Sequence, residues 1–324
     1  MFSRRQFSQA VIAGGLGFLP AGLASAQSYP TRPVKMVLPL PAGSGPDVRH
    51  RLIAQALSQL WGQQVIVENR PGGGGLIGTR AALAEEPDGY TILVGLASVY
   101  MILPAQNEKL PFDVNEDMVP IGLTALEGLV FACSPRLGVS TLPEFIELAK
   151  KNPDRYVIGT NPAGSLPHLA AKLFVDLTQT AIAVVPYATG GTNDAIRDIM
   201  GGRAHAVIEG WAGLRGALEG GELKGLAILS AKPSALLPNL STALVAVPGY
   251  TAIGWQVLTL RKGTPEAIVR KIGDDLGKVL ADPQLQKRLL DTGPEFEPLP
   301  PSELVQFIRT QQKYWYPIAK KYAT

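Results

Sequence analysis

The sequence contains a single cysteine, Cys133, and only three histidines among its 324 residues. One cysteine cannot form a disulfide within the chain, and it excludes a structural zinc site built from several cysteines. His50, His168 and His205 are not spaced for shared metal binding with one another or with a carboxylate. The sequence therefore predicts no metal site. His50 is expected on the surface of the first long helix. His168 lies in the first turn after the third loop, where contact with a ligand and a capping or packing role are both open.

Net charge is also small, and no long run of one sign occurs. The chain has 30 lysine and arginine residues against 27 aspartate and glutamate residues, a net charge of +3. This excludes a basic footprint for nucleic acid. Catalytic patterns are equally sparse, because Gly164-Ser165 lacks the following glycine of a nucleophile elbow and has Pro167 in its place. We therefore expect a protein that is not an enzyme and holds no cofactor.

The first 26 residues are predicted to be a signal peptide. Arg4 and Arg5 form a basic start, an apolar stretch follows over 10–24, and Ala24-Ser25-Ala26 fits the small-x-small cleavage rule. The apolar stretch is shorter than the roughly 20 residues that span a bilayer, which favours cleavage over a membrane anchor. The paired arginines resemble a twin-arginine signal, and a plain secretory signal fits the same residues. Either route predicts a periplasmic protein.

Beyond this leader, short apolar runs alternate with helical stretches. The predicted strands are 34–40, 64–68, 90–97, 128–134, 156–159, 182–185, 204–208 and 226–229, and the predicted helices are 47–61, 76–86, 141–152, 167–177, 192–200, 265–280, 284–290 and 302–322. Such alternation is typical of an α/β fold with mainly parallel sheets and flanking helices. No flexible linker separates two independent domains, so two lobes joined by crossing strands are expected, with crossings near 129–133 and 253–258.

Four loops of small and polar residues follow predicted strands and open helices, at 41–47, 71–75, 160–165 and 187–192. The first turn of a helix has unpaired N–H groups and a favourable dipole for anions, and such loops gather at the carboxyl edge of parallel strands. The first, third and fourth loops contain no lysine or arginine. They therefore predict reversible capture of a small carboxylate by amides and hydroxyls, although helix capping explains any single loop equally well.

The second loop also matches a dinucleotide fingerprint, Gly73-x-Gly75-x-x-Gly78. That fingerprint requires an acidic residue at the end of the next strand, and 95–98 contains none. Four consecutive glycines produce the same pattern readily. Nucleotide binding is therefore not expected, and an enzyme folded around a cofactor is left only as a less favoured alternative.

Several segments carry a more specific pattern. They are Tyr29-Pro30-x-Arg32-Pro33-Val34, Pro41-Ala42-Gly43 with Asp47 and Arg51, Val67-Glu68-Asn69-Arg70-Pro71-Gly72 with Gly75 and Ile77-Gly78, Pro87-Asp88-Gly89-Tyr90-Thr91, Val185-Pro186-Tyr187 with Gly190, Gly201-Gly202-Arg203 and Gly263-Thr264-Pro265. Together they resemble the substrate-binding proteins of tripartite tricarboxylate transporters, the Bug family of periplasmic receptors. The resemblance implies a two-lobe periplasmic-binding-protein fold of type II-like form. It also implies a monomer whose partners are the membrane permease subunits of a tripartite transporter.

The same resemblance implies lobe boundaries and a site. The first lobe would comprise 27–128 with 254–324, and the second 129–253. The ligand carboxylate would lie against the backbone of the first loop, and the second lobe would supply specificity. The candidate ligand-binding residues are Ala42, Gly43, Ser44, Asp47, Gly75, Asn161, Ser165, His168, Tyr187, Thr189, Gly190, Glu209 and Trp211.

Departures from the family pattern leave the ligand class open. Ser44 replaces the usual second glycine of the first loop, an extra glycine stands in the fourth loop, and 234–242 lacks the usual arginine and Pro-Thr pair. A di- or tricarboxylate, an acidic amino acid or an aromatic acid would each fit. A ligand sensor that reports to a membrane signalling protein is an alternative to a transport receptor, because both roles use the ligand-bound closed form.

Overall fold

The computed structural model describes residues 29–107, 109–188, 191–293, 299 and 301–322. The predicted signal peptide lies outside these residues, as do Thr189 and Gly190 of the fourth loop. Within the described part of the chain, no helix is both long enough and apolar enough to span a bilayer.

Ten strands and eleven α-helices alternate along the described chain. The strands are β1 (Val34–Leu38), β2 (Val65–Asn69), β3 (Thr91–Leu96), β4 (Met118–Gly128), β5 (Val130–Cys133), β6 (Val157–Thr160), β7 (Ala183–Pro186), β8 (Ala206–Glu209), β9 (Lys224–Ile228) and β10 (Ile253–Arg261). The helices are α1 (Gly45–Trp61), α2 (Leu76–Leu83), α3 (Ala97–Met101), α4 (Leu103–Gln106), α5 (Leu142–Lys151), α6 (Leu166–Thr178), α7 (Gly191–Met200), α8 (Trp211–Glu219), α9 (Glu266–Leu280), α10 (Pro283–Leu290) and α11 (Pro301–Lys321).

The strands form two five-stranded sheets, ordered β2-β1-β3-β10-β4 and β7-β6-β8-β5-β9. This confirms the two-lobe α/β fold, but each sheet is mixed rather than mainly parallel. In the first sheet β10 runs antiparallel to β3 and β4, and in the second β5 runs antiparallel to β8 and β9. A chain that leaves one sheet at its carboxyl edge enters the facing sheet from the opposite direction, so each crossing strand is antiparallel to its new neighbours.

The two crossings are hydrogen-bonded to each other through the backbone. The Leu129 N–H donates to the Ala252 carbonyl at 2.9 Å, and the Ala252 N–H donates to the Leu229 carbonyl at 2.7 Å. The Leu229 N–H in turn donates to the Leu129 carbonyl at 2.7 Å. The segments that leave and re-enter the first sheet therefore form one compact junction between the lobes.

Each sheet carries its own aromatic packing. In the first, the buried Trp255 ring lies 5.4 Å from Tyr100 and 5.7 Å from Phe307, measured between ring centroids. In the second, the Phe131 ring lies 5.2 Å from Phe145 and 4.8 Å from Phe174. Stacked and edge-on pairs of this kind add to the free energy gained by burying apolar area.

Local sequence signals correctly placed several helix ends. At the start of α5, the Thr141 hydroxyl accepts the Glu144 N–H at 3.3 Å, and the Glu144 carboxylate accepts the Ser140 N–H at 2.6 Å. The capping box is thus present, with the glutamate reaching one residue further back than usual. The prediction for His50 was wrong, because the packing of α1 against β4 and two C-terminal helices leaves this side chain fully buried.

Gly78 is required by close packing rather than by its backbone angles. A Cβ at this position would lie 2.7 Å from the Arg70 carbonyl oxygen and 2.9 Å from the Pro39 Cβ. Because backbone cannot easily yield, we expect Gly78→Ala to lower the free energy of unfolding by about 1–3 kcal/mol in urea denaturation. Gly277→Ala is the matched control, since nothing lies within 4 Å of its Cβ. This control should stabilise helix α9 by about 0.5–1 kcal/mol, and equal destabilisation by both variants would contradict the packing argument.

Candidate ligand-binding cleft

The first loop joins β1 to α1 and exposes its backbone. Gly43 has a φ of +79°, a conformation that favours glycine, and its N–H donates to the Asp47 carboxylate at 2.9 Å. The Ser44 hydroxyl donates to the Pro41 carbonyl at 2.8 Å instead of capping the helix. Ala42 and Gly43 are exposed and Ser44 is half-buried. The amides that remain available at this end are those in the first turn of α1.

Asp47 holds the first loop through hydrogen bonds to its carboxylate. It is 3% exposed, and its carboxylate accepts the Asn69 amide at 2.9 Å and the Arg51 Nε–H at 3.0 Å, as well as the Gly43 N–H. Burial alone would raise the pKa of Asp47, but the bonds from Arg51, Gly43 and Asn69 outweigh it and hold the pKa below its ordinary value. The Asp47 carboxylate is therefore held by these three partners within the first lobe.

The second loop contains four glycines in succession with positive φ. Their φ values from Gly72 to Gly75 are +123°, +58°, +65° and +104°, which residues with a Cβ rarely adopt. Gly75 is buried, and a Cβ there would lie 2.7 Å from the Val99 Cγ2. The predicted candidate Gly75 thus packs against α3, and the glycine run serves a tight backbone path.

In the second lobe, the third and fourth loops meet the end of β8. The Glu209 carboxylate accepts a hydrogen bond from the Asn161 amide, and its other oxygen accepts the Gly210 N–H at 2.7 Å. The Thr192 hydroxyl lies 2.6 Å from the Glu209 carboxylate and 2.8 Å from the Asn161 amide oxygen. Burial raises the pKa of Glu209, although the hydrogen bonds from Thr192, Gly210 and Asn161 act to lower it. The structure therefore brings Asn161 and Glu209 together.

The other second-lobe candidates use their polar atoms locally. The Ser165 hydroxyl accepts the His168 N–H at 3.4 Å at the start of α6, as expected for a cap. The His168 Nδ1 accepts the Gly164 N–H at 3.2 Å, which places the ring proton on Nε2, and burial together with Lys172 lowers the pKa of His168. The Tyr187 hydroxyl donates to Asp198 at 2.7 Å.

Elements of the two lobes touch at several points. A Cβ built on Gly45 of the first loop would lie 3.6 Å from the Ala212 Cβ in α8. A Cβ built on Gly164 of the third loop would lie 2.9 Å from the Gln106 amide oxygen in α4. Gln106 was not predicted, because a single glutamine on a short helix gives no sequence signal. The start of α1 in the first lobe therefore lies against α8 in the second, and the third loop in the second lobe lies against α4 in the first.

Two cavities lie on either side of Trp211, the last of the predicted candidates. The smaller, about 230 Å³, is lined by Gly43 and Gly45 of the first loop and by Arg215 of α8. The larger, about 310 Å³, is lined by Glu127 and by the segment 230–237. Trp211 and Gly293 line both cavities. The first loop, which was predicted from sequence, therefore borders the smaller cavity, and the predicted candidate Trp211 borders both.

Glu127 is an acidic residue of this space that the sequence did not reveal. It lies at the end of β4, and its carboxylate is 3.5 Å from the Ala212 N–H at the start of α8. Burial and the neighbouring Glu209 raise the pKa of Glu127 to about 7. Hydrogen bonds from the α8 backbone and the positive charge of Arg49 act in the opposite direction and lower it. A lone glutamate in an apolar run gives no warning that the facing lobe will cover it.

Arg49 is a second buried charge that was not predicted. Its side chain is fully buried and donates to the Thr292 hydroxyl and to the Leu289 carbonyl, the latter at 3.4 Å. Burial lowers the pKa of Arg49 to about 10, so the guanidinium is charged at neutral pH. Its Nη1 finds no hydrogen-bond partner among the described residues.

No group of three or more histidine, cysteine, aspartate or glutamate side chains that could hold a metal ion occurs among the residues that the structure describes.

Comparison with known proteins identifies relatives along nearly the whole chain. Residues 49–323 match the family described as "Tripartite tricarboxylate transporter family receptor". Protein BugT of Bordetella pertussis is 31% identical over 312 residues, which cover 95% of each chain.

Two solved structures share this architecture. The structure of R. palustris Rpa4515 with adipate is 29% identical, has a TM-score of 0.79, and covers 90% of this chain and 97% of its own. The periplasmic binding protein BugD is also 29% identical, has a TM-score of 0.75, and covers 90% of this chain and 98% of its own. These similarities agree with the resemblance inferred from sequence segments.

Proposed function

Because the chain belongs to the tripartite tricarboxylate transporter receptor family, we propose that it captures a small carboxylate between its lobes and presents it to the membrane subunits of a transporter. Its relatives include a protein whose structure contains adipate. Binding would be reversible and without chemical change, as expected of a receptor. The location would be the periplasm, reached through the predicted signal peptide, and the working form a monomer.

The observation that carries this proposal is the smaller cavity, where the first loop faces α8 across the two lobes. Gly43 and Gly45 bring helix-start backbone to one wall, and Arg215, which forms an exposed ion pair with Glu219, contributes a guanidinium to the other. Asp291 also lines this cavity. A carboxylate there would meet first-turn amides, a favourable helix dipole and a guanidinium. The loops themselves contain no cation, so Arg215 is an addition that only the fold supplies.

We also propose lobe boundaries that follow the sheets. The first lobe would comprise 27–128 with 254–324, because β1–β4 and β10 form one sheet. The second would comprise 129–253, because β5–β9 form the other. The junction of Leu129, Leu229 and Ala252 would act as the hinge about which these lobes open and close.

Ligand-dependent stabilisation tests the proposed function. A panel of dicarboxylates, tricarboxylates, acidic amino acids and aromatic acids should contain at least one compound that raises the melting temperature of the mature chain. A ligand at 100 times its dissociation constant should stabilise the folded state by about 2.7 kcal/mol. The bound compound should be recovered unchanged by mass spectrometry.

Arg215→Met should weaken binding of that compound about tenfold or more in calorimetry, since one charge-assisted contact is lost. Arg270→Met on α9 is the control, because its exposed ion pair with Glu266 lies outside both cavities. Absence of any stabilisation across the panel would overturn the receptor function. Equal affinity of the two variants would instead move the carboxylate away from the smaller cavity.

A further inference from the structure

We propose that the preferred ligand carries a protonated amine opposite its carboxylate, and that Glu127 selects this amine in the larger cavity. The inference deepens the proposed function and rests on it. It names a ligand class, an amino acid with separated charged ends, in place of a simple dicarboxylate.

The larger cavity is lined by Glu127, Lys232, Ser230 and Ser234 together with a larger number of apolar side chains. They include Leu126, Trp211, Ile228, Leu237 and Ile253. Methylene groups of a ligand would gain from burial against them, whereas a second ligand carboxylate would lose its hydration. The Glu127 carboxylate is thus the anionic group in this lining that is available to the far end of a ligand.

Charged groups of both signs lie near Glu127. Glu209 approaches it from β8 and adds negative charge, and Arg49 opposes it from α1. Arg49 is committed to Leu289 and Thr292 through its Nη2. Lys232 lines the same cavity on an exposed side chain and has contacts of its own. Negative charge on Glu127, with Glu209 nearby, disfavours a ligand carboxylate and favours a cation.

Trp211 and Gly293 line both cavities, so the two cavities adjoin at these residues. A ligand that spans both would pass the indole ring of Trp211. A ligand carboxylate would lie in the smaller cavity, as proposed above, and its amine in the larger one. An indole face beside this route also attracts an ammonium group.

Because Glu127 titrates near neutral pH, the affinity for each class of ligand should depend on pH. Burial and Glu209 raise the pKa of Glu127 to about 7. Above that pH the group is an anion that pairs with an ammonium and repels a carboxylate. Below that pH Glu127 is protonated and neutral, and its O–H donates a hydrogen bond to a ligand carboxylate. Affinity for the amino acid should therefore rise with pH, while affinity for the matching dicarboxylate should fall.

Calorimetry with matched compounds tests this. The pairs are succinate with 4-aminobutanoate, glutarate with 5-aminopentanoate, and adipate with 6-aminohexanoate, each pair having equal carbon number. In the best-binding pair, the mature chain should prefer the amino acid at least tenfold at pH 8, and the preference should shrink at pH 6. Glu127→Gln should remove most of the preference and its pH dependence. Glu222→Gln, on an exposed turn, should retain both.

The outcomes separate the inference from the proposed function. Equal or tighter binding of the dicarboxylate at pH 8, or a preference that survives in Glu127→Gln, overturns the inference and leaves the receptor function standing. If none of the acids in either panel binds, the receptor function itself fails, and the inference fails with it. Should Glu127→Gln not fold, Glu127→Asp keeps the charge on a shorter side chain, and retention of the amine preference there supports the proposal while its inversion refutes it.

Discussion

Replacing Asp47 by alanine is expected to lower the free energy of unfolding by about 3 kcal/mol, because a buried, charged acceptor of several hydrogen bonds is lost. Its carboxylate holds the Gly43 N–H, the Asn69 amide and the Arg51 guanidinium. Without it, the first loop loses the contact that fixes Gly43. Binding of the carboxylate found in the ligand panel should weaken at least tenfold.

Urea denaturation and calorimetry at pH 7 would measure both effects. Asp47→Asn should fall between wild type and alanine, since one oxygen can still accept a hydrogen bond. Glu116→Ala is the control, because its ion pair with Lys262 is exposed and should contribute less than about 1 kcal/mol. A loss in Asp47→Ala no larger than in this control would show that the loop is held by other contacts.

Stability between pH 5 and 7 is expected to depend on two buried groups with opposite signs. Burial lowers the pKa of His50 from 6.5 to about 4 in the folded state. The unfolded chain therefore binds the extra proton over this window, and about 2 kcal/mol of stability is lost as pH falls from 7 to 5. Burial and Glu209 raise the pKa of Glu127 from 4.5 to about 7. Here the folded chain binds the proton, and about 2 kcal/mol is gained over the same fall.

Because these two contributions oppose each other, single variants should separate them. Glu127→Gln should become acid-labile, losing about 2 kcal/mol more than wild type between pH 7 and pH 5. His50→Gln should show the reverse and become relatively more stable at pH 5. His205 is only half-buried and its pKa is lowered by burial, so His205→Gln should change the profile in the same direction but less than His50→Gln.

Free energies of unfolding measured by urea denaturation at half-unit intervals of pH would give the profiles of wild type and the three variants. Parallel profiles for wild type, Glu127→Gln and His50→Gln would contradict the burial of both groups. Divergence of only one variant would identify which group is buried in solution.

Local patterns were sufficient for most elements, and their failures have physical causes. The capping box at Thr141 and the alternation of apolar runs placed α5 and most strands within a few residues. Strand β4 was missed apart from its last residue, because glycine and proline interrupt its apolar pattern. Helix α8 was missed because it contains two glycines and begins directly after a strand-end loop. Packing against neighbouring elements overrides weak propensity in both cases.

The candidate site was predictable only in part. The positions of the loops followed from the alternation of strands and helices, and Asn161 and Glu209 were both predicted as candidates. Their contact was not predicted, because it depends on β6 and β8 being neighbours in the sheet. The direction of each polar group did not follow. Asp47, Tyr187 and His168 direct polar atoms to partners within their own lobe, and nothing in the residue types indicates this in advance.

The sequence by itself determined the α/β alternation, the family and the loops that border the cleft, since all of these are recorded in local spacing and short segments. The tertiary structure alone decided which charges are buried together. Glu127, Glu209 and Arg49 are separated by many residues in the chain, and burial in the folded protein shifts the pKa of each. Burial depends on contacts distant in the chain, and for that reason the electrostatics of the cleft emerge only from the folded protein.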